Sequence, residues 1–168
     1  MANYYFDANA LIKYSTLQEY KANLGQIEMG VNEIRQIALQ ENTNIYYSSL
    51  TLLECWRVIF LYYRKNIFGK NKNKAFKIVI EKFMVDLQQP VFSKLNVDMS
   101  ESVISQAHKF IERYGTINNV GSIDMLHIAL VKASLIESLI MVSSDRVVKN
   151  ICNTENIKTF DPEDFSVS

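Results

Sequence analysis

Short apolar runs closed by a polar or acidic residue alternate along this chain with longer stretches of helical periodicity. Asn3–Asp7 is aromatic and stops at an acid, which predicts a first strand. A helical stretch starts at Ala10-Leu11-Ile12. Ile27, Val31, Ile34, Ile37 and Ala38 recur at helical spacing and predict an amphipathic helix over Gln26–Gln40. Asn44–Ser48 predicts a second short strand. Leu50–Tyr63 is apolar nearly all round, which predicts a buried helix. Phe68–Asn73 breaks it. A helix resumes over Ala75–Leu87 and ends before Pro90, because the residue before proline avoids helical angles. Phe92–Val97 is expected to be extended. Helices predicted over Ser102–Arg113 and Ile123–Ser134 flank a Gly115–Gly121 loop. Ser138–Ser143 is the clearest strand, Val147–Cys152 a short helix, and Ile157–Phe160 a last strand.

Strands alternate with helices, and the strands are continuous apolar runs rather than in–out patterns. That is the signature of a parallel sheet covered on both faces. The expected fold is an α/β three-layer sandwich: a central, mainly parallel sheet of about four or five short strands flanked by helices. The 168 residues suit a single domain spanning 1–168, with a helical basic segment at about 57–89. Hydrophobic residues at 48% and charged residues at 21% mark a folded chain rather than a disordered one.

Formal net charge is zero, so any grip on nucleic acid must come from a local patch. Cys55 and Cys152 make neither a disulfide framework nor a zinc signature, which fits a reducing cytoplasm. No apolar run has the length of a membrane span, and no signal peptide is visible. The expectation is a cytoplasmic protein with no membrane partner.

In parallel α/β sheets, sites form at the carboxyl ends of strands, and four acids are expected near them. Asp7 ends the first strand and can equally cap the next helix. Glu54 stands in Thr51-Leu52-Leu53-Glu54, the spacing of a capping box with Thr51 as cap, yet the helix around it is otherwise apolar. Asp124 lies near a helix start, where the helix dipole favours a carboxylate. Asp145 follows the clearest strand and can cap Arg146-Val147-Val148. Each capping explanation suffices alone. Together the four can converge on one sheet edge, where mutual repulsion calls for a cation. All-oxygen ligation suits Mg²⁺ or Mn²⁺ rather than zinc, and such an ion would serve phosphodiester hydrolysis.

Four segments spanning nearly the whole chain carry a resemblance. They are Tyr5-Phe6-Asp7-Ala8-Asn9-Ala10-Leu11-Ile12-Lys13, Ser48-Ser49-Leu50-Thr51-Leu52-Leu53-Glu54, Asp124-Met125-Leu126-His127-Ile128-Ala129 and Ile140-Met141-Val142-Ser143-Ser144-Asp145. In this order they resemble PIN-domain ribonucleases, particularly the toxin subunits of type II toxin–antitoxin pairs and their free-standing relatives. The resemblance implies a Mg²⁺- or Mn²⁺-dependent endoribonuclease with Asp7, Glu54, Asp124 and Asp145 as its acidic set. Asp7, Asp124 and Asp145 would hold the metal, and Glu54 would complete the site. Asn9 stands where the family often has Ser or Thr, and Ser143 where Thr is common. The resemblance also implies an antitoxin partner and a homodimer. Residues from about Tyr62 to Gln89 match the family least.

His127 shares a helical face with Asp124; it is a candidate general base or metal ligand, but is expected rather to pack or to orient an acid of the site. Arg64, Lys65, Lys70, Lys72, Lys74 and Lys77 form a basic stretch with no acid among them, either an RNA-phosphate grip or a solvated corner. Lys13 either screens the carboxylates or touches RNA, or packs its stem on the surface. Asp98 is expected to cap a helix, and Asp161 and Glu163 to lie in a solvated turn. Two other readings stand beside the ribonuclease. One is an RNA- or protein-binding module on the same fold. The other is an aspartyl-nucleophile phosphohydrolase built on Asp7, with Asn9 where a second acid is normally needed.

Overall fold

The apolar runs pair into one sheet of five parallel strands in the computed structural model, which describes residues 1–164. The strands are β1 (Ala2–Phe6), β2 (Thr43–Tyr47), β3 (Phe92–Lys94), β4 (Leu139–Val142) and β5 (Lys158–Phe160), in the order β3-β2-β1-β4-β5. β1 is central, with Tyr5 opposite Tyr46 on one side and Met141 on the other.

Among the described residues, eight α-helices cover the two faces. They are α1 (Ala8–Tyr14), α2 (Leu17–Ala22), α3 (Val31–Leu39), α4 (Ser49–Arg64), α5 (Lys72–Asp86), α6 (Glu101–Tyr114), α7 (Ser122–Ala133) and α8 (Arg146–Thr154). Successive residues of a strand point to opposite faces. Phe6, Ile45 and Val142 therefore pack with α1–α5, whereas Tyr5 and Met141 pack with α6–α8. The result is the three-layer sandwich expected from the sequence.

Four local expectations differ. Residues 26–30 are irregular, and α3 starts only at Val31, after Gly30. Gly30 has φ +77° and lies against Pro162, whose carbonyl oxygen would be 2.7 Å from any Cβ there. Helix α4 is not buried all round: Leu50, Thr51, Cys55 and Ile59 form its inner stripe, while Leu53 (68% exposed) and Phe60 (50%) face outward. Its cap is Ser48, not Thr51. Ser48 Oγ accepts from the Thr51 amide and Thr51 Oγ1 accepts from the Ser48 amide, so Glu54 lies past the first turn. Ser100 rather than Asp98 caps α6. Cys55 and Cys152 are buried and free. Among the described residues, no helix is long and apolar enough to cross a membrane.

Candidate active site

The chain runs from β1 to β2 on one side, then crosses from β3 to β4 on the other. The crossing makes β1 and β4 a topological switch point, and the crevice at their carboxyl ends is where open α/β sheets place ligands. Phe6 is paired with Val142, so the residues that follow both strands meet there. Asp7 caps α1, its Oδ1 accepting from the Ala10 amide at 2.8 Å. Asp145 caps α8, its Oδ1 accepting from Val147 at 2.7 Å and Val148 at 3.0 Å. The capping and site readings of these acids are therefore compatible: one oxygen caps, and Oδ2 has no protein partner among the described residues.

Helices α4 and α7 bring the other two acids. Asp124 sits in the first turn of α7 and folds back over Gly121. A Cβ at Gly121 would lie 2.4 Å from Asp124 Oδ2, so the missing side chain makes room for this carboxylate. Glu54 is held from α7: His127 Nε2 lies 2.6 Å from Glu54 Oε2. The other ring nitrogen of His127 lies 2.6 Å from the Tyr5 hydroxyl. That hydroxyl donates to Ser48 Oγ at 2.9 Å and lies 3.2 Å from Thr51 Oγ1. Tyr5, Ser48, Thr51 and His127 are all buried, and hydrogen bonds satisfy every member, which removes the cost of leaving polar groups unpaired.

The electrostatics record the crowding. Burial, chiefly, raises the Asp7 pKa from 3.8 to about 6; Glu54 and Asp124 push the same way, and the Ala10 amide and His127 pull back. Asp124 is raised by burial, then by Asp145 and Glu54. The Tyr5 hydroxyl is pushed up by burial and stays protonated at neutral pH.

Among the described residues, no three metal-ligating side chains stand close enough to enclose an ion by themselves. A zinc-type closed site is therefore absent from them. A hard cation that keeps most of its waters needs only one or two carboxylates. The unused oxygens of Asp7 and Asp145, and the Asp124 carboxylate in the space left by Gly121, are the groups from which one or two such contacts could come. His127 nitrogens are already engaged and make no ligand.

The remaining sequence candidates separate. Ser143 is buried, and its hydroxyl accepts from the Asp145 amide at 3.2 Å, steadying that turn. Asn9 is exposed and shares a cavity of about 300 Å³ with Glu54 and Tyr62. Lys13 is not a surface cation, as an RNA contact requires. It is 1% exposed and pairs with Glu163 from the segment after β5, so neither Lys13 nor Glu163 is simply solvated. Asp161 likewise pairs with Lys149. Arg64, Lys65, Lys70, Lys74 and Lys77 are exposed and Lys72 half-buried, at the corner between α4 and α5. The ten helical steps of α4 from Glu54 to Arg64 span roughly 15 Å, so this corner stands apart from the acids. His108 is exposed and faces Glu112 at 3.8 Å.

Sequence reasoning missed Tyr5, Ser48, Thr51 and Glu163 as supports. Tyr5 and His127 lie 122 positions apart, and only the pairing of β1 beneath α7 joins them. The one available signal was a hydroxyl on a strand residue that is otherwise core.

No family model matches the chain, and no curated protein matches it in sequence. Its fold does match solved structures. VapBC2 from Rickettsia felis bound to a DNA fragment from their promoter superposes with a TM-score of 0.56 at 17% identity, over 94% of this chain and 97% of that one. FitAB bound to IR36 DNA gives 0.60 at 15% identity, over 96% of each chain. FitAcB from Neisseria gonorrhoeae gives 0.56 at 14% identity, over 95% of this chain and 97% of that one. The chain thus shares the fold of these structures, the PIN-domain fold that the sequence resemblance implied.

Proposed function

We propose that this protein is a metal-dependent endoribonuclease that hydrolyses RNA phosphodiester bonds with Mg²⁺ or Mn²⁺, and that it acts as the toxin of a toxin–antitoxin pair. One observation carries the reading: Asp7, Glu54, Asp124 and Asp145, from four separate elements, interact electrostatically at the switch-point crevice. The fold shared with PIN-domain toxins supports it.

Asp7, Asp124 and Asp145 would hold the metal. When bound, the ion would polarise a phosphoryl oxygen and lower the pKa of water. Glu54, fixed by His127, orients the attacking water. Asn9 borders the cavity through which substrate reaches Glu54, and Ser143 steadies the turn that carries Asp145. The basic corner at residues 64–77 grips RNA phosphates away from the cut bond. An antitoxin partner, a homodimer and a cytoplasmic location belong to the same proposal; VapBC2 and FitAB are themselves solved on DNA.

The test is cleavage of single-stranded RNA in Mn²⁺ by wild type and Asp7→Asn. Wild type should cut, EDTA should stop it, and Asp7→Asn should lose on the order of 100-fold or more. Cleavage that survives Asp7→Asn unchanged would refute the assignment.

A further inference from the structure

We propose that Tyr5 is a positioning residue for Glu54: its hydroxyl, braced by Ser48 and Thr51, fixes the His127 ring so that Nε2 keeps Glu54 aimed into the carboxylate crevice. The inference rests on the ribonuclease reading and deepens it.

Position 5 is fully buried in the layer beneath α6–α8. Phenylalanine would pack there equally well, and a hydroxyl costs free energy to bury unless it is bonded. The Tyr5 hydroxyl meets three partners, and two of them are the residues that already close the capping box of α4. The same pair of hydroxyls therefore starts the helix that carries Glu54 and anchors the chain of bonds that aims it.

Glu54 needs such a device. It is half-buried and shares a crevice with Asp7 and Asp124, whose charges repel it. Left alone, a flexible glutamate would swing toward solvent. The 2.6 Å contact with His127 Nε2 prevents this. With Glu54 ionised, Nε2 must carry the proton between them. The Tyr5 hydroxyl proton goes to Ser48 Oγ, and the phenol oxygen, 2.6 Å from Nδ1, holds that side of the ring. Without that hydroxyl, Nδ1 is buried with no partner, and the ring has no reason to keep Nε2 on Glu54.

Tyr5→Phe, His127→Gln and the double variant test this. Glutamine presents an amide N–H close to where Nε2 stands and does not need the Tyr5 hydroxyl. With a short single-stranded RNA of mixed sequence and Mn²⁺, Tyr5→Phe should lower kcat about tenfold and leave KM unchanged. In the His127→Gln background the same change should cost less than twofold, because the two residues act as one unit. Tyr5→Phe with wild-type kcat, or costs that multiply independently in the double variant, would overturn the proposal, whatever the change in Tm. The ring ¹⁵N signals of His127 give a readout free of catalysis. They should show Nε2 protonated in wild type and should shift in Tyr5→Phe. If wild type cuts no RNA, the ribonuclease reading fails, and unchanged ring signals in Tyr5→Phe would separately overturn this one.

Discussion

At the switch-point crevice every acid is held by something. Asp7 and Asp145 are pinned by helix amides, Glu54 by His127, and Asp124 is folded over Gly121. At the corner between α4 and α5, Arg64, Lys65, Lys70 and Lys74 project into solvent, Lys77 faces Glu81 at 3.7 Å, and Lys72 lies over the Tyr63 ring at 5.0 Å. The crevice is ordered before any ligand arrives, at an electrostatic cost. The corner is adaptable and costs the fold almost nothing. A site that must place a reacting bond needs the first arrangement. A surface that follows a flexible polyanion suits the second.

The largest expected effect comes from the cost at the crevice. The folded-state pKa of Asp7 is near 6, against 3.8 for the ordinary group. The native state therefore takes up a proton at a pH where the unfolded chain does not. For a raised carboxylate, stability is lost as pH rises through about 6 and is regained on acidification. Metal-free protein should gain about 2 kcal/mol from this group between pH 7 and about pH 4.5, because each tenfold difference in proton affinity is worth roughly 1.4 kcal/mol. Asp7→Asn should flatten that rise, since asparagine still caps α1. Urea titrations in EDTA at the two pH values read the difference directly.

Lys13 sharpens the comparison, because it behaves unlike the lysines of the corner. Glu163→Ala leaves its charge buried without a partner and should cost about 2 kcal/mol, less than the roughly 3–5 kcal/mol of a fully buried pair because Glu163 itself reaches solvent. Lys70→Ala, measured the same way, should stay within about 0.5 kcal/mol.

Gly121→Ala moves one carboxylate without burying anything. The added methyl group displaces Asp124 Oδ2, so cleavage should fall about tenfold, while stability changes by less than about 1 kcal/mol. The smallest effect belongs to the corner: Lys70→Ala or Lys74→Ala should weaken RNA binding modestly. Each should also flatten the dependence of log affinity on log salt by about 0.7 for a lost phosphate contact.

The centre of the sheet was legible because β1 and β4 are covered by helices on both faces and so stand out as apolar runs, whereas the edge strands β3 and β5 are short and partly exposed. Asp7 and Asp145 were legible for the same reason, each ending such a run. Local ambiguities were not resolved by pattern. Ser48 and Thr51 each begin a three-residue spacing that fits a capping box, and only the backbone shows that Ser48 is the cap. Ile27 keeps the helical period, yet it is exposed, and the left-handed turn at Gly30 delays α3. Contacts that span the chain left no local trace. Tyr5 meets His127, and Lys13 meets Glu163, only because parallel strands bring distant segments to one edge.

The most direct measurement is thermal stability with and without Mn²⁺, on wild type and Asp7→Asn. A cation binding at the crevice stabilises only the folded state that binds it. Wild type should melt at a higher temperature in Mn²⁺ and Asp7→Asn should not, although in EDTA the variant should melt above wild type. An equal rise in both proteins, or none in wild type, would contradict a metal site at these acids.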